Sequence, residues 1–545
     1  MVAAIQENGH NGHALDVRSR ARNDVVVRKL IEIFPDIGKN EVVLKALLQD
    51  RKAAETPKKA KAAKFSFSVR AWARLKAFIL LILLLYTIPV SWAIVMASIV
   101  ADLAELLQRK DGSKQVWNRL MAGMGRRTGE VRGTAIVSGA KSTKGLHMCR
   151  HLHRAGWRVV LVDVKRNWAA GARWSGCVAA FRTYPEPNLD PLGYLEAIAT
   201  IAAEERAKLF VPVSIAQYSV YEALAADLLA RSFSTRACTL DARMTAELND
   251  KSSFSALCEH LGVLVPKSSP ITSKELLFQL NKDPEEFGDK RFLLKSIAYN
   301  ATARSDMFTL PCSDEALREY VTDLDISEDQ PWMLQQLLQG TEFSSYSVAH
   351  EGHLILHCDT VACASNLRYV DVGDRQILDW VKEFCTKTGA SGQLCFDFMR
   401  DTNDGRMYAF ECNPRTSTIL LNFYNHDHVA QAFFNAKGVY EFGKAPYKPL
   451  SNAKQVIWIW NEVGELIFGE LPKCKSLGQA WQSVKDRAQL LFSSVDALLD
   501  PADPLPFLAL HYQQVVALLL RNIELGNPWV KVDLCTGKLV EIGGD

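Results

Sequence analysis

Neither sign of charge dominates this 545-residue chain: 64 Lys and Arg stand against 61 Asp and Glu, a formal charge of +3. That balance gives the average surface no electrostatic hold on nucleic acid, which is therefore not an expected partner. None of the twelve cysteines forms a Cys-x-x-Cys pair, and none stands near a secretory cleavage pattern. The thiols read as reduced, and no zinc site is indicated. The H-E-x-x-H zinc motif is also missing, so His350, His353 and His357, around the turn at Glu351-Gly352, read as hairpin positions. A P-loop is absent too, because Ala140 separates Gly139 from Lys141-Ser142 where the motif needs Gly-Lys adjacency.

What is present is concentrated in Phe410-Glu411-Cys412-Asn413-Pro414-Arg415. In an extended chain Glu411, Asn413 and Arg415 share one face. Upstream, Asp401-Thr402-Asn403-Asp404-Gly405-Arg406 has the Asn/Asp/Gly content of a hairpin turn. Asp397 and Glu411 are symmetric about Asp404, so closing the hairpin there sets two carboxylates opposite each other. Like charges so placed are destabilising unless compensated. A hard divalent cation compensates them: Asp397, Glu411 and the Asn413 amide oxygen are donors that Mg²⁺ accepts, and Arg415 suits a phosphate.

Residues 1–64 read as an appendage ending in a basic linker (Lys58, Lys59, Lys61, Lys64), and 65–110 as a hydrophobic, membrane-associating segment. Ala77 to Ala101 carries no charged side chain. As a helix it measures about 37 Å, enough for a hydrocarbon core of roughly 30 Å. Arg70, Arg74, Lys76 and Trp92 suit a membrane interface. A single crossing puts everything after Asp102 outside the cell. Pro89 is expected to interrupt the helix, so that a re-entrant or in-plane insertion keeps the later domains on the cytosolic side.

From Gly133 the chain turns to strand, turn and helix, then a second apolar strand at Arg158 to Asp163. This opens a parallel α/β domain over 131–235. Its first turn, with Lys141 and Lys144, offers backbone N–H groups to a substrate at a helix N-terminus. Further units are expected at 236–330, 331–445 and 446–545. The last carries a packed helix from Phe507 and a return to sheet at Val530 to Val540.

Taken in order, Lys251, Lys295, Gln336, Glu342, Asp397, Glu411, Asn413 and Arg415 resemble the residue sequence of the ATP-grasp superfamily. The resemblance covers roughly residues 133–435. It implies an α/β architecture with a parallel pre-ATP-grasp domain, followed by two lobes that hold ATP between antiparallel sheets. It also implies Lys251 and Lys295 on the phosphates, Gln336 with the Leu337 and Leu338 backbone at adenine, and Glu342 on ribose. Asp397, Glu411 and Asn413 would hold Mg²⁺, or Mn²⁺ in its place, and Arg415 would steady the transferred phosphoryl group. Two departures stand out. A glutamine occupies the hinge position often held by Glu, and no glycine lies between Lys295 and Pro311, where Arg304 offers charge instead.

More narrowly, the chain is similar to the ligases that make mycosporine-glycine. That similarity implies phosphorylation of the cyclohexenone 4-deoxygadusol and condensation with the amino acid glycine, with Lys141, Lys144 and Arg368 as candidate substrate contacts. Two other functions fit the same residues: a carboxylate-amine ligase acting through an acyl phosphate, and a membrane-associated nucleotide-binding protein without turnover. Either leaves room for a homo-oligomer.

Overall fold

The computed structural model describes residues 17–21, 23–55, 65–108, 131–213, 215–282, 290–296, 308–328, 330–362, 368–434 and 445–542, the side chains of 51–55 excepted. A parallel sheet opens the body with β1 (Gly133–Ser138), β2 (Trp157–Val164), β3 (Val178–Tyr184), β4 (Ala207–Val211) and β5 (Arg236–Ala237). Their order is β3-β2-β1-β4-β5. The near-continuous apolar runs of β1, β2 and β4 are what a sheet covered on both faces requires. Ala135 and Val137 face helix Thr143–Arg154, while Ile136, Val160 and Phe210 face helices Pro191–Glu204 and Ser219–Phe233. The N-terminal helices Val25–Ile33 and Glu41–Glu55 add Val27, Leu30, Leu44 and Leu47 to that second core.

Next comes a small antiparallel sheet of β6 (Ser268–Ile271), β7 (Phe292–Ser296), β8 (Thr309–Leu310) and β9 (Trp332–Gln336), in the order β6-β9-β7-β8. Alternation sends Phe292, Leu294, Trp332 and Leu334 into its core. Leu293, Lys295, Met333 and Gln335 therefore lie on the other face.

The long strands β10 (Gly340–His350) and β11 (His353–Val361) follow as a hairpin, and β12 (Arg368–Tyr369) departs to another sheet. Then β13 (Gly392–Asp401) and β14 (Met407–Asn413) complete the antiparallel order β11-β10-β13-β14. One face of this sheet packs Phe343, Phe396, Phe398 and Cys412 on Trp380 and Phe384 of helix Arg375–Thr388. Beyond it, β15 (Val456–Ile457) and β16 (Val495–Asp496) join β12, and β17 (Trp529–Asp533) pairs with β18 (Lys538–Glu541). The C-terminal region is locked to the first domain by a buried ion pair, Arg150 to Asp503 at 2.9 Å. It is locked again where Thr143 N–H donates to the Cys535 carbonyl at 3.0 Å.

Two expectations about the apolar segment are corrected. Pro89 does not interrupt it: one helix runs from Phe67 to Leu107. Proline removes one backbone donor, and the rest of the ladder, held against the body at Thr87 and Ser91, continues through it. Thr87 Oγ1 lies 3.0 Å from the Tyr512 hydroxyl, and Ser91 Oγ accepts from Tyr512 (2.6 Å) and Trp460 Nε1 (3.1 Å). Nor do the flanking cations stand free of the body. Arg70 and Arg74 donate to the carbonyls of Leu525, Ile523 and Glu524, capping helix Val515–Leu525, and Lys76 donates to Trp529 and Val530. The last carbonyls of a helix lack partners within it and attract cations.

Candidate active site

The acid cluster is built by strand register. On the face of β10-β13-β14 away from the Phe396 core, Ser344 pairs across to Asp397, and Asp397 pairs across to Glu411. Two pairs further along, on the same face, Cys395 stands across from Asn413. The hairpin does not reach this register by simple symmetry. Near the turn, Phe398 faces Ala409 and Arg400 faces Met407, and a bulge leaving Phe410 unpaired brings Asp397 opposite Glu411. Bulges re-aim side chains beside functional sites, and this one leaves Phe410 with the Lys295 ammonium 5.4 Å from its ring centre.

Asp397 accepts from Ser344 Oγ at 2.5 Å and from Asn413 Nδ2 at 3.1 Å. Its carboxyl is pushed up to about 7, first by burial and then by the Glu411 charge. Glu342 is also raised, by partial burial and by Glu411, against the pull of Lys295. Lys251, first residue of helix Lys251–Leu261, brings its Nζ to 3.7 Å from Glu411 Oε2. Lys295 Nζ donates to Gln335 Oε1 at 2.8 Å.

Two acids, one of them raised to about 7, beside an amide oxygen form a donor set that a hard divalent cation fits, since the cation offsets the cost of burial and the Glu411 repulsion that raise Asp397. Turning the Asn413 amide to present its oxygen completes the set. Arg415 follows Pro414 with its own N–H on the Asn413 carbonyl at 2.8 Å. Its guanidinium is enclosed, and Nη1 is buried without a hydrogen-bond partner among the described residues. Beside it, Lys144 Nζ donates to the Thr416 carbonyl at 2.6 Å, and burial, reinforced by Arg415, lowers its ammonium to about 8.

The fold thus gathers Lys251, Lys295, Glu342, Asp397, Glu411, Asn413, Arg415 and Lys144 around the facing sheets. Other candidates are placed differently. Gln335, not Gln336, is the glutamine on the Lys295 face, because strand alternation puts Gln336 on the opposite side of β9. The Leu337 N–H is spent on the Arg291 carbonyl at 2.7 Å, which leaves its carbonyl and the Leu338 backbone for a base. Arg368 makes a bidentate pair with Glu462 (2.9 and 2.8 Å) that ties β12 to helix Ile459–Gly464, so it is engaged away from the acids. Arg304 lies outside the described residues. The turn N–H groups expected to meet a substrate are already donating: Lys141 N to Asp163 Oδ2, Thr143 N to Cys535 O and Gly145 N to Ser142 Oγ. Ser344 went unread in the sequence, although it stands two residues after Glu342 and hence on the same strand face.

Comparison with family models finds no match, and comparison with curated proteins finds none either. Solved structures do overlap. N5-carboxyaminoimidazole synthetase from Staphylococcus aureus, complexed with ADP, matches at 12% identity over 66% of this chain and 98% of its own, with a TM-score of 0.47. Biotin carboxylase from Campylobacter jejuni matches at 15% identity over 57% of this chain and 72% of its own, with a TM-score of 0.43. L-amino acid ligase from Bacillus licheniformis matches at 13% identity over 56% and 70%, with a TM-score of 0.37. The chain itself has an α/β fold in which a parallel sheet is followed by two antiparallel sheets, with the cluster on their facing surfaces.

Proposed function

We propose that the protein is an ATP-dependent, C–N bond-forming ligase. The observation that carries this reading is the buried Arg415 Nη1, without a hydrogen-bond partner among the described residues, beside the Asp397, Glu411 and Asn413 set. A guanidinium donor without a partner is costly to bury, and a phosphoryl oxygen satisfies it. Lys251 and Lys295 extend the positive charge along the cleft for the other phosphates. A bound Mg²⁺ supplies charge neutralisation between the acids and the phosphates. The protein's own part is to position: Ser344 and Asn413 fix the Asp397 carboxylate, and Gln335 holds Lys295 at the cleft wall.

In the reaction an acceptor oxygen takes the γ-phosphoryl group and ADP leaves. An amine then attacks the carbon bearing that oxygen, loses a proton and expels phosphate. The narrower similarity makes the acceptor 4-deoxygadusol, whose enolic oxygen is a poor leaving group until phosphorylated, and the amine glycine. The product is then mycosporine-glycine. A carboxylate acceptor forming an acyl phosphate uses the same residues.

Incubation with ATP, Mg²⁺, glycine and 4-deoxygadusol labelled with oxygen-18 at the enol tests both levels. The label is expected in the released phosphate, together with a new ultraviolet-absorbing product. Label transfer only from a carboxylate acceptor sinks the narrower assignment, and failure of every acceptor to drive ADP formation sinks the ligase.

A further inference from the structure

The helix Phe67–Leu107 is sided in an unusual way. Its inward face sets Ala73, Ala77, Ser91 and Val95 against the body. Its outward face carries Phe78, Ile82, Leu85, Tyr86, Trp92 and Met96, with Leu85 64% and Tyr86 76% exposed. The serines and threonine of the uncharged run, Thr87, Ser91 and Ser98, all lie off the exposed side. The outward stripe from Trp72 to Val100 is about 42 Å long at 1.5 Å per residue. From Phe78 to Val100, about 33 Å, no polar residue other than Tyr86 and Trp92 breaks the exposed face, far more than a water-facing surface carries.

Its attachment excludes a simple crossing. Arg74 is tied to the end of helix Val515–Leu525, Lys76 to β17, and Ser91 to Tyr512 and Trp460. The body therefore accompanies the helix along about 26 Å of its axis. Passage through hydrocarbon would carry in the part of the body bound at Thr87 and Ser91, with the Tyr512 hydroxyl and the Trp460 N–H, whose irregular backbone hydrocarbon does not accept. Tyr86 and Trp92 are the polar members of the stripe, and such rings anchor proteins at membrane–water interfaces. The sequence is also basic on both flanks, with Lys58, Lys59, Lys61 and Lys64 before the run and Arg109, Lys110, Lys114 and Arg119 after it. Basic flanks favour the same, anionic side of a membrane.

We infer that this helix lies in the plane of an anionic lipid surface, with its outer stripe among the acyl chains and both ends on the side of the catalytic body. The inference is independent of the reaction assigned above. Lipid is the occupant to which it commits; a second copy of the chain is the rival.

Flotation of the full chain with phosphatidylcholine/phosphatidylglycerol vesicles tests it, compared with the double variant Ile82→Glu/Leu85→Glu. Both positions are exposed, so the variant keeps its fold, checked by an unchanged melting temperature. The full chain is expected to float and the variant to lose vesicle binding by about tenfold or more. Trypsin added outside such vesicles is expected to cut both basic flanks. A full chain that stays with the dense fraction overturns the inference, as does a variant that floats equally. Protection of one flank shows a crossing and overturns it. So does a dimer in sedimentation that the variant breaks without any loss of flotation.

Discussion

Asp397 and Glu411 face each other across β13 and β14, and their mutual repulsion, added to burial, keeps the Asp397 carboxyl near 7. A proton and a cation then compete for one position. Because the folded acid is raised above its ordinary value, the cation-free protein is favoured by protonation of Asp397, and that contribution is lost as pH rises through about 7. Cation binding runs the other way. Affinity for Mg²⁺ is expected to strengthen by about tenfold between pH 6 and pH 8, with proton release near one per cation at the lower pH. Calorimetry in buffers of different ionisation enthalpy measures the released proton, and a pH-independent affinity contradicts the competition.

Glu411→Gln removes the like charge while keeping the shape. Asp397 is then expected to titrate lower, the cation-free protein to melt no lower than wild type, and phosphoryl transfer to fall roughly 10²-fold or more. Thermal melting alongside ADP release separates the two effects. Equal loss of both would make Glu411 a structural residue.

For Arg415→Met the same separation is sharper. Its buried Nη1 has no hydrogen-bond partner among the described residues, so replacing it with an apolar chain of similar length is expected to leave stability unchanged or slightly raised. Turnover is expected to drop by about 10²- to 10³-fold, with the larger part in kcat.

Lys295→Met is expected to raise the KM for ATP about tenfold or more, as loss of a charge-assisted phosphate contact does. Gln335→Ala, which frees the Lys295 ammonium from its 2.8 Å bond, is expected to give a smaller rise, and Gln336→Ala none. Steady-state kinetics on the three variants decides which glutamine supports the cleft.

The carboxylate pairing was legible because turn residues mark a hairpin tip and alternation does the rest. The bulge at Phe410 was not, since nothing in Ala409-Phe410-Glu411 announces a skipped pair. Gln335 and Gln336 are adjacent and chemically identical, so only the face occupied by Leu334 separates them, and that depends on which sheet surface the small-lobe core covers. Arg70, Arg74 and Lys76 looked like a membrane collar because the carbonyls that engage them lie some 450 residues downstream. Pro89 carries a strong local preference against helix, which the packing of Ser91 on Tyr512 and Trp460 outweighs. The parallel sheet was the easiest part to read, its buried strands being long runs of Val, Ile and Leu.

Asp503→Ala leaves Arg150 buried with its carboxylate partner gone, as both side chains are almost wholly enclosed. Loss of such a partner costs about 3–5 kcal/mol. Denaturant melts are expected to show it, and the double variant Arg150→Met/Asp503→Ala is expected to recover part of the loss.

The contact between Thr143 and Cys535 also bears on how the chain is made. The turn after β1 is synthesised well before the segment carrying the carbonyl that receives its N–H, so that helix start waits for its cover while the chain between them is made. Growing chains stalled short of β17 should therefore exchange the amide hydrogen of Thr143 freely.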